Sequence, residues 1–205
     1  MEPAANEKLA RWDRVFEVTS VVPLGSFALI HAIDYGRVLV GAQEIGARRH
    51  PSALALVAEV LFVWLPLLGH AGWSFAVWPR RRALEQGSAA VLAHRIAGVV
   101  AGLFLVDHFV RFRLPILRGL THSADSVTRL AAELSSTRGG VPWVAALHLA
   151  GVLAVAFHLT FGLRRIAERS ERLRASRATR AVCVGVGVVT GVVGVLTVLR
   201  LAAGA

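Results

Sequence analysis

The stretch AAVLAHRIAGVVAGLFLVDHFV, residues Ala89–Val110, decides the class of this protein. As a helix rising 1.5 Å per residue it is about 33 Å long, enough to cross the ~30 Å hydrocarbon core of a bilayer. Its only ionisable side chains are His94, Arg95, Asp107 and His108. Four more apolar segments of similar length accompany it: Val15–Tyr35, Leu54–Trp78, Val141–Leu163 and Ala181–Leu201. A backbone in lipid must satisfy its own polar groups, so segments of this kind span as helices. They occupy about half the chain and leave no length for a separate soluble domain. The expected fold is all-α, a single membrane domain over residues 1–205. Its five transmembrane helices form an up-down four-helix core plus a fifth helix. Residues 164–180 are expected to be a cytoplasmic loop or helix extension, and 114–140 a polar loop on the opposite side.

Composition agrees. The chain is 55% hydrophobic with mean hydropathy +0.59 and only 18% charged residues, against about 25% in soluble domains. The leader MEPAANEKLARWDR mixes acids with bases, unlike the basic leader of a signal peptide, so the first segment is expected to be a retained helix. The net charge of +10 does not point to nucleic acid. The arginines fall in short loops between apolar runs, and no aromatic-plus-basic platform accompanies them. The single Cys183 excludes an internal disulfide and a cysteine-ligated cluster, and no C-x-x-C-H motif is present.

Basic residues orient the bundle. Of the 23 Lys and Arg residues, fourteen fall in the N-terminal tail, the 79–88 turn with Arg95, and the 164–180 loop; nine fall on the other side. The first set is expected to be cytoplasmic, with the N-terminus inside and the C-terminus outside a cell inner membrane.

The histidines carry the chemistry. His50 and His122 lie in loops, whereas His31, His70, His94, His108, His148 and His158 lie in or beside apolar segments. Ionisable side chains are costly at that depth, so each is a functional candidate. Helical rise places His31 and His108 toward the outer side and His70 and His158 toward the inner side. Each pair falls on one diagonal of an up-down bundle. Two b-type haems, held non-covalently between His70/His158 and His31/His108, need such ligands entering from opposite faces. Small residues near the ligands give room for a porphyrin: Ala28, Ala101, Gly151 and Ala154. Arg165, seven residues after His158, and Arg111, three after His108, are placed to meet haem propionates. His94 and His108, 14 apart on one face, would serve a ligand scheme with two histidines per helix, but no second helix matches that spacing. His148 is an alternative outer ligand, or touches a propionate or quinone, or bridges helices.

The segments VPLGSFALIHAI (22–33), LPLLGHAGW (65–73), HRIAGVVAGLFLVDH (94–108) and AVAFHLTFGL (154–163) resemble the five-helix di-haem cytochrome b subunit of succinate dehydrogenases and fumarate reductases. The resemblance covers nearly the whole chain, one motif on each of the first four helices. It implies the same two ligand pairs, a menaquinone or other quinone bound toward the outer side, and a flavoprotein subunit and an iron–sulfur subunit on the cytoplasmic face. This chain would be the non-catalytic anchor for the dicarboxylate step. Two positions depart from the pattern. His94 stands before Arg95 where the family usually has Gln, and Ala156 stands where some fumarate reductases carry a proton-moving glutamate. His94, Arg95 and His148 join Arg111 and Arg165 as candidate propionate or quinone groups. Quinone reduction also needs a proton partner. The candidates are Glu59, Glu44 and Asp34, and Glu59 falls within about 20° of His70 on a regular helical wheel. Two other functions fit the histidines: a cytochrome b subunit of a hydrogenase or formate dehydrogenase, and a haem-free transporter relaying protons.

Overall fold

The structure, a computed structural model, describes residues 3–41, 53–84, 89–120, 125–170, 173 and 176–203. Helix α1 runs Pro3–Gly36 and continues into a 3-10 turn, Arg37–Val40. Helix α2, Ala53–Glu59, passes through one π-helical turn, Val60–Trp64, into α3, Leu65–Leu84. Helix α4, Ala89–His108, passes through a second π turn, Phe109–Arg113, into α5, Leu114–Leu117. Helices α6, Ser126–Ser135, α7, Trp143–Glu168, and α8, Arg177–Ala202, complete the chain. There is no strand among the described residues.

Four stretches are long and apolar enough to cross a membrane: Leu56–Val77, Ala89–Leu117, Trp143–Glu168 and Arg177–Ala202. The molecule therefore has the build of a multi-pass membrane protein. Its large apolar side chains face outward, Leu103 being 67% and Leu68 65% exposed. In water such a surface would drive aggregation; in lipid it is the solvated face. Helix α1 covers the whole expected first segment, but several of its side chains before Gly25 lie outside the described set.

The elements outrun the apolar segments, because hydrogen-bonded helix continues into water. Helix α7 extends to Glu168, where Arg164 pairs with Glu168 at 2.7 Å. Helix α8 begins at Arg177, its first turn capped by the Ser176 hydroxyl, which accepts from Thr179 N at 3.3 Å. Within 164–180, residues through Glu168 thus extend α7 and residues from Arg177 open α8. The 114–140 stretch is not a plain loop. Val127, Leu130, Ala131 and Leu134 recur at helical spacing on α6, and Leu130 and Leu134 are buried against Val38, Phe112, Ala145, Val198 and Leu201. A tight turn then leads to α7: Arg138 and Val141 exchange backbone hydrogen bonds of 3.0 and 3.2 Å across Gly139 and Gly140. Both glycines have positive φ, 60° and 79°, which a side chain would strain.

Helix α7 is central, packing against α4, α8 and α1, while α1 also packs on α3 and α8. The α7–α8 seam is made of small residues. A Cβ on Gly191 would stand 3.3 Å from Ala156 Cβ, and one on Gly187 would overlap the Thr160 hydroxyl. Gly187-Val-Val-Thr-Gly191 is a small-xxx-small pattern, which lets backbones approach where lipid provides no hydrophobic drive. Gly187→Leu should destabilise the protein in detergent by about 1–3 kcal/mol, the usual cost of overpacking. Gly185, with no atom within 4 Å of its Cβ position, should accept leucine within about 0.5 kcal/mol. Equal thermal shifts for the two variants would refute the seam.

Candidate functional site

Six histidines gather in two clusters at the two ends of the bundle. In one cluster, the one expected to be inner, the His70 ring on α3 faces His158 on α7, centroids 6.0 Å apart and planes at 77°. In the outer one, His31 on α1 faces His108 on α4, again 6.0 Å apart, at 90°. Among the described residues neither α1 with α4 nor α3 with α7 is a packed pair. Each pair of rings therefore meets across a gap between helix backbones.

The separation has a chemical meaning. A metal–imidazole nitrogen bond is about 2.0 Å, so two imidazoles that held one metal between them would have centroids about 6 Å apart. Both pairs have a ring separation of that size. No three His, Cys, Asp or Glu side chains converge on a bare metal ion among the described residues. A haem asks for less, because the porphyrin supplies four of its iron ligands and the protein two.

Second contacts orient the inner ring. His158 Nδ1 donates to the His94 carbonyl oxygen at 3.2 Å, which fixes the tautomer and leaves the lone pair on Nε2. His94 itself stacks on His158 at 4.1 Å with planes 4° apart, and on Phe161 at 4.5 Å. Gly98, one turn beyond His94, clears the space; a Cβ there would lie 2.8 Å from His158 Cε1. The outer rings sit in an aromatic sleeve. Phe27 and Tyr35 flank His31 at 5.3 and 4.6 Å, and Phe104 and Phe112 flank His108 at 5.6 and 5.1 Å. His148 joins this cluster 5.7 Å from His108 and is 3% exposed.

The charged candidates are distributed differently. Glu59 does not share the face of His70, because the π turn Val60–Trp64 lies between them. Its extra residue rotates the preceding helix by about 100°. Glu59 instead accepts from Arg113 Nε at 3.0 Å and from Arg113 Nη2, and from Trp64 Nε1 at 3.0 Å. Arg111 pairs with Asp107 at 2.8 Å and Glu133 at 3.3 Å. Asp34 is exposed on α1, and Arg95 and Arg165 are half-buried on α4 and α7. Glu44, His50 and His122 lie outside the described residues.

Sequence reasoning missed Arg113, Trp64, Phe104 and Gly98. The first two both donate to Glu59 beside the two π turns, and those turns leave no mark in periodicity. Gly98 had a signal, a glycine four residues after His94 on the face that meets α7. No family model, curated protein or solved structure matches the chain.

Proposed function

We propose that this chain is the di-haem cytochrome b membrane anchor of a succinate:menaquinone oxidoreductase or fumarate reductase. The observation that carries the reading is the pair of histidine couples, each at the 6.0 Å ring separation of bis-axial ligation. On this reading the chain crosses a cell inner membrane five times. Its first four spans run up and down, with the N-terminus cytoplasmic and the C-terminus outside. His70 and His158 hold the inner haem, and His31 and His108 the outer one. Haem iron, when bound, carries one electron at a time between the two membrane faces. The chain's own residues hold the ligand rings, exclude water with the Phe27, Phe104 and Phe112 side chains, and close the outer end with α6. A flavoprotein and an iron–sulfur subunit dock on the cytoplasmic face, and a quinone binds toward the outer end.

Glu59 is a weaker proton partner than the sequence implies, since its oxygens already accept from Arg113 and Trp64. Asp34, one turn from His31, and Glu44 serve that role on this reading.

The purified protein should carry two haems per chain, both extracted by acid acetone, and should co-purify with a flavoprotein and an iron–sulfur protein. One haem per chain, or none on reduction with dithionite, would overturn the reading. Two haems with a hydrogenase or formate dehydrogenase as the co-purifying partner would retain the ligands and replace the complex.

A further inference from the structure

Two buried nitrogens with no hydrogen-bond partner belong to neighbouring rings of the cluster around His108. They are His108 Nδ1 and His148 Nε2. Their rings are 5.7 Å apart, with planes at 67°. An N–H···N bond of about 3 Å sets two imidazole centroids roughly 5.3 Å apart. The observed ring separation is about half an ångström longer than such a bond would set.

Their chemistry is complementary. His148 Nδ1 lies 2.9 Å from the Val144 carbonyl oxygen. A carbonyl only accepts, so Nδ1 carries the proton and Nε2 presents a lone pair. If His108 gives Nε2 to a metal, its own Nδ1 carries a proton and is a donor. One orphan is then a donor and the other an acceptor, in a place where each would otherwise stay unsatisfied.

We propose that His148 is the positioning residue of the outer haem. It accepts a hydrogen bond from His108 Nδ1–H, in a chain running from the Val144 carbonyl through both imidazoles to the iron. This rests on the haem reading of His108. Accepting that proton fixes the tautomer and ring angle of His108 and makes it a more basic ligand, which favours the oxidised iron. The inner cluster gives His158 a backbone carbonyl for the same purpose; the outer cluster gives His108 a side chain, which can be replaced.

The packing argues against His148 as the ligand opposite His108. Helices α4 and α7, which carry these two rings, pack directly. Gly151 lets Phe104 of α4 rest on the α7 backbone, and a Cβ there would run into the Phe104 ring. A porphyrin has no gap between them, whereas α1 and α4 stand apart.

The test uses the purified haem-loaded protein with two variants. His148→Phe keeps the ring volume in a phenylalanine-lined site and removes the acceptor. His148→Gln keeps an acceptor, its amide oxygen. In His148→Phe, one of the two haems should titrate at a higher midpoint potential and pass to apomyoglobin with about 10–100-fold weaker retention. The other haem should be unchanged, and His148→Gln should stay close to wild type. Unchanged potentials and retention in His148→Phe would overturn the proposal while leaving the haem reading standing. So would complete loss of one haem in both variants, since that marks a ligand. Wild-type protein without haem would overturn both together. If His148→Phe does not fold, a potential in His148→Gln shifted as far as that of a His148→Asn variant, whose shorter amide falls short of His108, would also overturn it.

Discussion

On the di-haem reading, replacing His70 or His158 with alanine is expected to cut the haem content from two per chain to one, and replacing His31 or His108 to remove the other. The reason is geometric. The rings of each couple lie 6.0 Å apart, while the two couples share no ring contact and sit at opposite ends of the bundle. An iron that loses one axial imidazole keeps a single protein bond, and alanine cannot replace it. Reduced-minus-oxidised spectra of the four variants should therefore fall into two classes, His70 with His158 and His31 with His108. A double variant within one class should look like either single variant, whereas one from each class should hold no haem. Four indistinguishable spectra would contradict the pairing. Loss of the inner signal in His94→Ala with retention in His158→Ala would show that the stacked partner is the ligand.

The second large effect concerns Glu59 and Arg113. Their side chains are 22% and 24% exposed, and Trp64 adds a third bond to the carboxylate. Removing one partner leaves the other charge uncompensated beside apolar spans. Arg113→Leu should destabilise the protein by about 2–3 kcal/mol, less than the ~3–5 kcal/mol for a fully buried pair because these groups keep some solvent. The double variant Glu59→Leu/Arg113→Leu should be less damaged than Arg113→Leu alone, since two apolar side chains there leave no charge unpaired. Thermal unfolding of the four proteins in detergent closes the cycle. Additive losses would mean that the pair has no energetic coupling. The same variants weigh the proton question, because a Glu59 needed for quinone chemistry would make Glu59→Leu inactive even with normal haem content.

What could be read from the chain before its structure divides along physical lines. The apolar blocks announce themselves, since lipid tolerates only long uninterrupted stretches such as Ala89–Val110. Histidine depth follows from rise per residue, so the levels of His31, His70, His108 and His158 were legible. Facing is harder. A helical wheel assumes even turns, and it failed for Glu59 where Val60–Trp64 widens. Helix α6 was hidden by its polar composition, although Val127, Leu130, Ala131 and Leu134 carry its period. The α7–α8 seam was present as Gly187 and Gly191 but looked like mere glycine–valine alternation. The stacking of His94 on His158 depends on how closely α4 approaches α7, and only the packing around Gly98 reveals that.

The two π turns have a consequence for inheritance. A wide turn is an α-helical turn with one residue inserted and the flanking helix left in place. Val60–Trp64 and Phe109–Arg113 are two such insertions in two helices of the bundle. They are locked together by the Trp64–Phe109 contact at 4.5 Å and by the Glu59–Arg113 pair. Deleting one residue from a single turn would swing that helix's outer half by about 100° and leave the other unmatched. Descendants of this chain should thus keep both insertions or lose both. A relative one residue shorter in each segment would preserve the spacing of every histidine to its own half of the helix.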